Sequence, residues 1–195
     1  NAIVGLSLLT EKNADDPTIV RENLQKMNRA SNHLLTLIND ILDISKVESG
    51  KLNMSPVTFS IVECAENLVT ISQPMVKEKN IDFRFHIDRV SHEYLYADQL
   101  RINQIFINLL SNAIKYTEKG EVTITIDQKD KDVHISVADT GYGIAPEALS
   151  HLFERYYQVG GEHQVSGTGI GLSLVNNLVE LHHASIKVNS TAGES

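Results

Sequence analysis

The sequence predicts an α+β chain in which an N-terminal helical hairpin precedes a two-layer α/β sandwich. Three observations lead to that class. Apolar residues recur at alternating spacings of three and four from Val20 to Ile41, a helical period sustained over many turns. Beyond Pro56, short alternating stretches such as Ile81–Ile87, Glu121–Gln128 and Asp132–Asp139 interleave with helical patterns. Between the two regimes Ser49–Pro56 (SGKLNMSP) has the composition of a linker, which divides the chain into residues 1–50 and 51–195.

Asn1 to Thr10 reads as the end of a helix, and Asn13–Pro17 as a polar break. Asp16 is a good N-cap and Pro17 suits a first helical position, so a second helix starts there and runs to about Glu48. Val20, Leu24, Met27, Leu34, Ile38 and Ile41 line its seam, with Ser31 and Ser45 at the remaining seam positions. Leu35, Leu37, Leu42 and Ile44 widen the stripe beyond what one partner can cover. The hairpin is therefore expected to be half of a dimeric four-helix bundle, completed by a second copy of the chain.

In the remainder, Val57–Ser60 reads as a short strand and Ser60 as the cap of a helix from Ile61 to Lys79. Strands come next at Ile81–Ile87 and Tyr94–Ala97, then a helix from Asp98 to Tyr116. Glu121–Gln128 and Asp132–Asp139 form a hairpin across Lys129–Lys131. Pro146–Phe153 reads as a short helix, Gly160–Gly171 as a glycine-rich loop, Leu172–His182 as a helix and Ala184–Ser190 as a last strand. A sheet with helices stacked on one face is the economical architecture.

Composition narrows function by exclusion. The 195 residues carry a formal net charge of −8, which excludes a bulk basic nucleic-acid binder. The single cysteine, Cys64, excludes an internal disulfide and argues against a cysteine-rich metal site. No apolar run approaches the ~18 residues of a membrane span, so no membrane contact is expected of these residues.

Three features carry chemistry. On the helix Asp98–Tyr116, Arg101, Gln104, Asn108, Asn112 and Lys115 fall on one stripe whose centre is amide-rich. Two amide oxygens one turn apart, with an ammonium beyond, can hold a hard cation and an anionic group together; they can equally hydrogen-bond neighbouring loops. The second feature is Asp139-Thr140-Gly141-Tyr142-Gly143-Ile144, after a strand. A carboxylate at a strand end can accept from an exocyclic amine while glycines let the backbone approach a flat ligand, although a plain turn has the same composition. The third is Gly167-Thr168-Gly169-Ile170-Gly171-Leu172, opening a helix whose free N–H groups would attract phosphate. A surface loop is the alternative there. No Walker lysine comes after it, which excludes a P-loop.

Taken together and in order, these features resemble the catalytic domain of sensor histidine kinases, a member of the ATP-binding fold shared with DNA gyrase (the GHKL type). Asn108–Thr117 (NLLSNAIKYT) is similar to the N box, Asp139–Ile144 to the first glycine box, Leu152–Gln158 (LFERYYQ) to the F box, and Gly167–Leu172 to the second glycine box. Leu37–Gly50 (LINDILDISKVESG) is similar to the second dimerisation helix of the same family.

The resemblance implies roles. Asn112 would ligate Mg2+ with Asn108 assisting, and Lys115 would meet a phosphate; these three are the expected catalytic residues. Tyr116 would pack on the adenine or ribose, and Asp139 would accept from the adenine amino group. Gly141 and Gly143 would give the base room. Gly167, Thr168, Gly169, Gly171 and Leu172 would hold the phosphates of ATP, with Arg155 of the F box contributing to the nucleotide site. Val159–Ser166 would form a lid. The implied reaction is transfer of the ATP γ-phosphate to a histidine of a dimerisation helix, for relay to a response-regulator receiver domain, by a cytoplasmic homodimer whose parent protein is compatible with a membrane anchor.

Two alternatives stand beside that reading. One is an ATP hydrolase of the same fold, and Asn108 weighs against it: gyrase-like ATPases carry a water-activating glutamate there, and an amide is no general base. The other is a non-catalytic dimerisation or docking module. The sequence also departs from the family. The opening Asn1–Gly5 resembles the residues just beyond the phosphoacceptor box, so the acceptor histidine is expected upstream of this chain. Ser91-His92-Glu93 copies the start of that box but lies between two predicted strands. His183-Ala184 stands where the family often has paired glycines, so an altered turn is expected, and the sheet is expected to be slightly truncated at the C-terminus.

Overall fold

The computed structural model describes residues 2–88, 90–158 and 167–191. The chain divides into two compact units, Asn1–Lys51 and Leu52–Ser195.

The first unit is a pair of helices, α1 (Ala2–Lys12) and α2 (Pro17–Glu48), packed on each other. Asp16 caps α2 as its sequence suggests, its Oδ1 accepting from Thr18 N at 2.9 Å and Ile19 N at 3.3 Å, with Pro17 at the helix start. Within this unit Leu24, Leu34, Leu35, Ile38, Ile41 and Leu42 are exposed. Two helices present too little surface to bury so broad an apolar stripe.

The second unit is α/β. Its elements in order are β1 (Val57–Ser60), α3 (Ile61–Lys79), β2 (Asp82–Asp88), β3 (Tyr94–Ala97), α4 (Gln99–Tyr116), β4 (Glu121–Lys129), β5 (Asp132–Asp139), α5 (Pro146–Leu149) and α6 (Gly171–Leu181). The strands form two separate sheets rather than one. β1 and β3 pair antiparallel, and β2-β4-β5 make a three-stranded sheet, with β2 parallel to β4 and β4 antiparallel to β5. The β4–β5 turn is tight, with Asp130 at φ 56°.

Alternation along β4 sets the core. Val122, Ile124 and Ile126 are fully buried on one face, against Leu68 of α3 and Phe106, Leu110 and Ile114 of α4 in the same apolar cluster. α6 packs on α4 and contributes buried Leu174, Val175 and Leu178. Caps fix where two of these helices begin. Ser60 Oγ accepts from Glu63 N at 3.1 Å, and Asp98 Oδ1 from Arg101 N at 3.2 Å. The second carboxylate oxygen of Asp98 accepts from Ser55 N at 2.9 Å, so one buried side chain joins the segment before β1 to the start of α4.

Several expected elements differ, and among them β2 runs from Asp82 to Asp88, one residue later than expected at each end. α5 ends at Leu149 instead of Phe153, and the chain passes into turns. α6 begins at Gly171 and ends at Leu181, one residue earlier than expected at each end. Ala184–Ser190 is not a strand: no backbone ladder among the described residues includes it, and its ties to the unit are Ala184 N donating to Val179 O at 3.1 Å and Ser190 Oγ accepting from Ile144 N at 2.8 Å. Alternating residues make a strand only where a neighbouring backbone pairs with them. Among the described residues no helix is long and apolar enough to cross a membrane.

Candidate functional site

The site is built where the middle and end of α4 meet the loop after β5 and the start of α6. Asn108, Asn112, Lys115 and Tyr116 all lie on α4, with Asn108 and Asn112 one turn apart. Asn108 is oriented by its own helix, its Nδ2 donating to Gln104 O at 3.0 Å. That leaves Oδ1 directed at Gly171, the first residue of α6, where a Cβ would stand 2.5 Å from it. Asn112 is half-buried and makes no side-chain hydrogen bond among the described residues. Lys115 Nζ bonds to Tyr116 Oη at 3.2 Å and lies 4.7 Å from the centre of the Tyr116 ring, so the ammonium and the exposed ring sit together.

α4 ends at Thr117, which is fully buried and whose Oγ1 donates to Ala113 O at 2.8 Å. The loop after β5 docks on this end. Asp139 is exposed, and its Oδ1 accepts from Gly141 N at 3.0 Å. Tyr142 N donates to Tyr116 O at 3.4 Å, and a Cβ on Gly141 would lie 2.4 Å from that same carbonyl oxygen. Position 141 therefore needs glycine because two backbones touch there. Thr140 ties the loop to β4, its Oγ1 accepting from Glu121 N at 2.9 Å. Gly143 has φ 67°, which turns the chain toward α5. A hydrogen bond with Glu118 holds the Tyr142 hydroxyl above its ordinary pKa.

The second glycine-rich segment is strapped to the stretch after α5. Tyr156 N donates to Gly169 O at 2.9 Å, and Gln158 Nε2 donates to Gly167 O at 2.9 Å. Gly169, at φ 67°, leaves no space for a side chain, since a Cβ would lie 2.6 Å from the Tyr156 carbonyl carbon. Thr168 Oγ1 accepts from Ile170 N at 3.3 Å, and Leu172 is half-buried in the first turn of α6. Unlike α2, α3 and α4, α6 has no side-chain cap, so its first-turn N–H groups are offered to an anion beside Asn108. Arg155 is exposed between Glu154 and Tyr156. The expected lid, Val159–Ser166, lies outside the described residues.

Sequence reasoning missed four supports: Thr117, Thr140, Tyr156 through its backbone, and Gln158. Thr117 closes the N box and Gln158 the F box, while the bonds of Thr140 and Tyr156 depend on tertiary contacts that no local pattern announces. His92 stays away from the site: it is exposed, and its N–H and that of Ser91 donate to Gln128 Oε1, both within 3.0 Å. Cys64 is buried, its Sγ donates to Asn103 Oδ1 at 2.8 Å, and burial pushes its thiol up to about 11. Among the described residues no group of three His, Cys, Asp or Glu is placed to hold a metal.

A helix start without a side-chain cap thus lies beside Asn108, and the loop that bears Asp139 is docked on the end of the same helix α4. Residues 97–195 match the family described as Histidine kinase-, DNA gyrase B-, and HSP90-like ATPase, and residues 1–50 match the His Kinase A (phospho-acceptor) domain. The chain belongs to that ATPase family, and the pairing of the two domains is that of a two-component sensor histidine kinase. It is 36% identical over 201 residues to the autoinducer 2 sensor kinase/phosphatase LuxQ of Vibrio vulnificus, covering 97% of this chain and 23% of that protein. The chain thus spans about a quarter of the length of that relative. Among solved structures it resembles full-length ShkA in complex with AMPPNP, with 29% identity and TM-score 0.75 over 89% of this chain and 36% of that one. It also shares the fold of the histidine kinase ThkA in complex with the response regulator protein TrrA, at 24% identity and TM-score 0.63, over 93% of this chain and 50% of that one.

Proposed function

We propose that this chain is the nucleotide-binding core of a protein-histidine kinase that passes the γ-phosphoryl group of ATP to a histidine of a dimerisation helix. The observation that carries this reading is the junction of Asn108 Oδ1 with the uncapped start of α6 across Gly171. A phosphate chain lying there would meet free backbone N–H groups, while Asp139 receives the adenine amine at the other end. The donor set fits Mg2+ as well. Asn108 and Asn112 offer neutral oxygens one turn apart, and a hexacoordinate ion that keeps several waters needs few protein ligands. Bound there, Mg2+ would neutralise phosphate charge. Lys115 would add its ammonium to a phosphate and Tyr116 its ring to the base or ribose. Gly143 would leave the base its space, while the glycine expected to do so at 141 instead lets the Asp139 loop meet Tyr116 O; Gly167, Thr168, Gly169 and Leu172 would frame the phosphates, and Arg155 would complete the rim.

Transfer breaks the bond between the γ-phosphorus and the bridging oxygen of ATP and forms a phosphorus–nitrogen bond on the histidine, with ADP leaving. Positioning and charge neutralisation carry such a step, since little covalent chemistry falls to the protein. Hydrolysis is disfavoured because Asn108 occupies the turn from which a carboxylate would activate water, and its amide nitrogen already donates to Gln104. The exposed stripe of α2 supports a homodimer through the hairpin. The phosphoryl group would then pass, in the cytoplasm, to a response-regulator receiver domain.

Titration calorimetry with Mg-ATP tests the assignment. The wild-type chain is expected to bind in a magnesium-dependent manner. Asp139→Asn is expected to lose about two orders of magnitude in affinity or more, because with the amide oxygen engaged by Gly141 N the NH2 group faces the adenine amine, donor against donor. The fold should survive, since the amide oxygen can still accept from Gly141 N. Equal affinity of the two proteins would refute the adenine assignment.

A further inference from the structure

The last residue of α3 reaches across to the end of α4. Lys79 Nζ donates to three carbonyls there, Ile114 O at 2.9 Å, Lys115 O at 2.6 Å and Thr117 O at 3.1 Å. An ammonium has three protons to donate, so these bonds use its full capacity. The last carbonyls of a helix lack partners within it and form the negative end of its dipole, which makes a cation the strongest donor for them. Lys79 is itself well placed. Asn80 closes α3 in the left-handed region at φ 54°, with Asn80 N bonded to Lys77 O and Ile81 N to Val76 O, and Ile81 is buried.

The three carbonyls bracket the backbone that carries Lys115 and Tyr116. The carbonyl they omit, that of Tyr116, faces the other way and accepts from Tyr142 N in the loop after Asp139. Residues 114–117 are therefore held from one side by Lys79 and from the other by the loop that bears Asp139. We propose that Lys79 is a positioning residue for the nucleotide site, acting through this backbone to aim Lys115 and Tyr116 at the phosphate and the base. This role rests on the nucleotide reading of the site.

A cavity of about 380 Å³ lined by Met75, Glu78, Lys79, Ile114 and Lys115 opens beside the ammonium. It offers a small alkylammonium a way to the three carbonyls once the lysine side chain is cut back. The test is Mg-ATP calorimetry on the full chain as wild type, Lys79→Ala, Lys79→Met and Lys79→Arg, with thermal melting in parallel. Lys79→Ala and Lys79→Met are expected to bind on the order of tenfold more weakly, the range typical of residues that orient a ligand-binding group. Lys79→Arg should retain most of the affinity, because a guanidinium can donate to the same carbonyls. Ethylammonium should restore part of the loss in Lys79→Ala, whereas tetramethylammonium at equal ionic strength, having no N–H, should not.

A Lys79→Ala or Lys79→Met protein that melts cooperatively and binds Mg-ATP as wild type overturns the proposal. So does loss of cooperative folding in both variants, which would make Lys79 a structural residue, and so does equal recovery with either ammonium ion. A wild-type chain that fails to bind Mg-ATP overturns the nucleotide reading itself, and the role of Lys79 falls with it.

Discussion

Gly171 and Asn108 are in contact only because position 171 has no side chain: a Cβ there would stand 2.5 Å from Asn108 Oδ1. The Asn108 amide can swing away only by giving up the bond from its nitrogen to Gln104 O. Gly171→Ala should displace the carboxamide from the start of α6 while leaving the helix itself intact. We expect a folded protein, destabilised by about 1–3 kcal/mol as for other overpacked sites, and, because the displaced carboxamide no longer meets the phosphate end, Mg-ATP affinity lowered about tenfold, ~1.4 kcal/mol of binding. Calorimetry beside a thermal melt checks both parts, and wild-type affinity in this variant would remove the Asn108–Gly171 junction from the site.

Gly141→Ala meets harder resistance, since the added methyl would lie 2.4 Å from a backbone carbonyl oxygen rather than from a side-chain tip. The end of α4 and the Asp139 loop must separate to admit it. A loss of stability of about 2–3 kcal/mol, visible as an earlier urea midpoint, is expected. An unchanged midpoint would mean that the two backbones do not approach this closely in solution.

His183 closes α6 at φ 55°, with its N–H on Glu180 O and the Ala184 N–H on Val179 O. This is the 5→2 and 6→1 pattern usually completed by glycine, so the altered turn expected at this departure from the family is not found: the ordinary geometry is kept with an L-residue in the left-handed region. His183→Gly should stabilise the protein by about 1 kcal/mol, the cost of a Cβ there. A thermal melt that shows destabilisation instead would indicate that the imidazole makes a contact worth more than that strain.

The Cys64 thiol, pushed by burial from an ordinary 9.0 up to about 11, should resist alkylation in the native protein and react at once in urea. Between pH 9 and 11 the unfolded chain has released this proton and the folded chain still holds it, so stability falls as pH rises through that window. Cys64→Ala should flatten this part of the urea-midpoint profile, and an identical slope in the variant would assign the alkaline loss to other groups.

Features that depend on one residue's own chemistry were legible in the sequence. Asp16 and Ser60 announce helix starts because a short acceptor side chain next to a helical pattern has few other uses, and both accept backbone N–H groups as expected. Strand β4 was legible because its apolar residues alternate without a break. Ala184–Ser190 alternates too, but a strand exists only when a second backbone pairs with it, and that fact is not local. The glycines divide in the same way. Their density marked the two loops, whereas the need for glycine at 141, 169 and 171 comes from Tyr116, Tyr156 and Asn108, which are distant in sequence. Lys79 left no trace at all: a lysine ending a helix reads as a solvated charge, and its first partner, Ile114, is 35 residues away.

The bidentate hold of Asp98 on Ser55 and Arg101 decides where this chain can be cut. A chimaera that exchanges the helical hairpin at residue 51 or 52 keeps Ser55 with its acceptor and hands the recipient an intact catalytic unit. A chain begun at the first strand, Val57, lacks the Ser55 backbone N–H and so strips one oxygen of the buried Asp98 carboxylate of its donor at the very residue that caps α4. A catalytic unit cut at the visible edge of the sheet would thus carry a defect at the start of the helix that bears Asn108 and Asn112, and a fusion at that edge repairs it only where its own backbone N–H takes the place of that of Ser55.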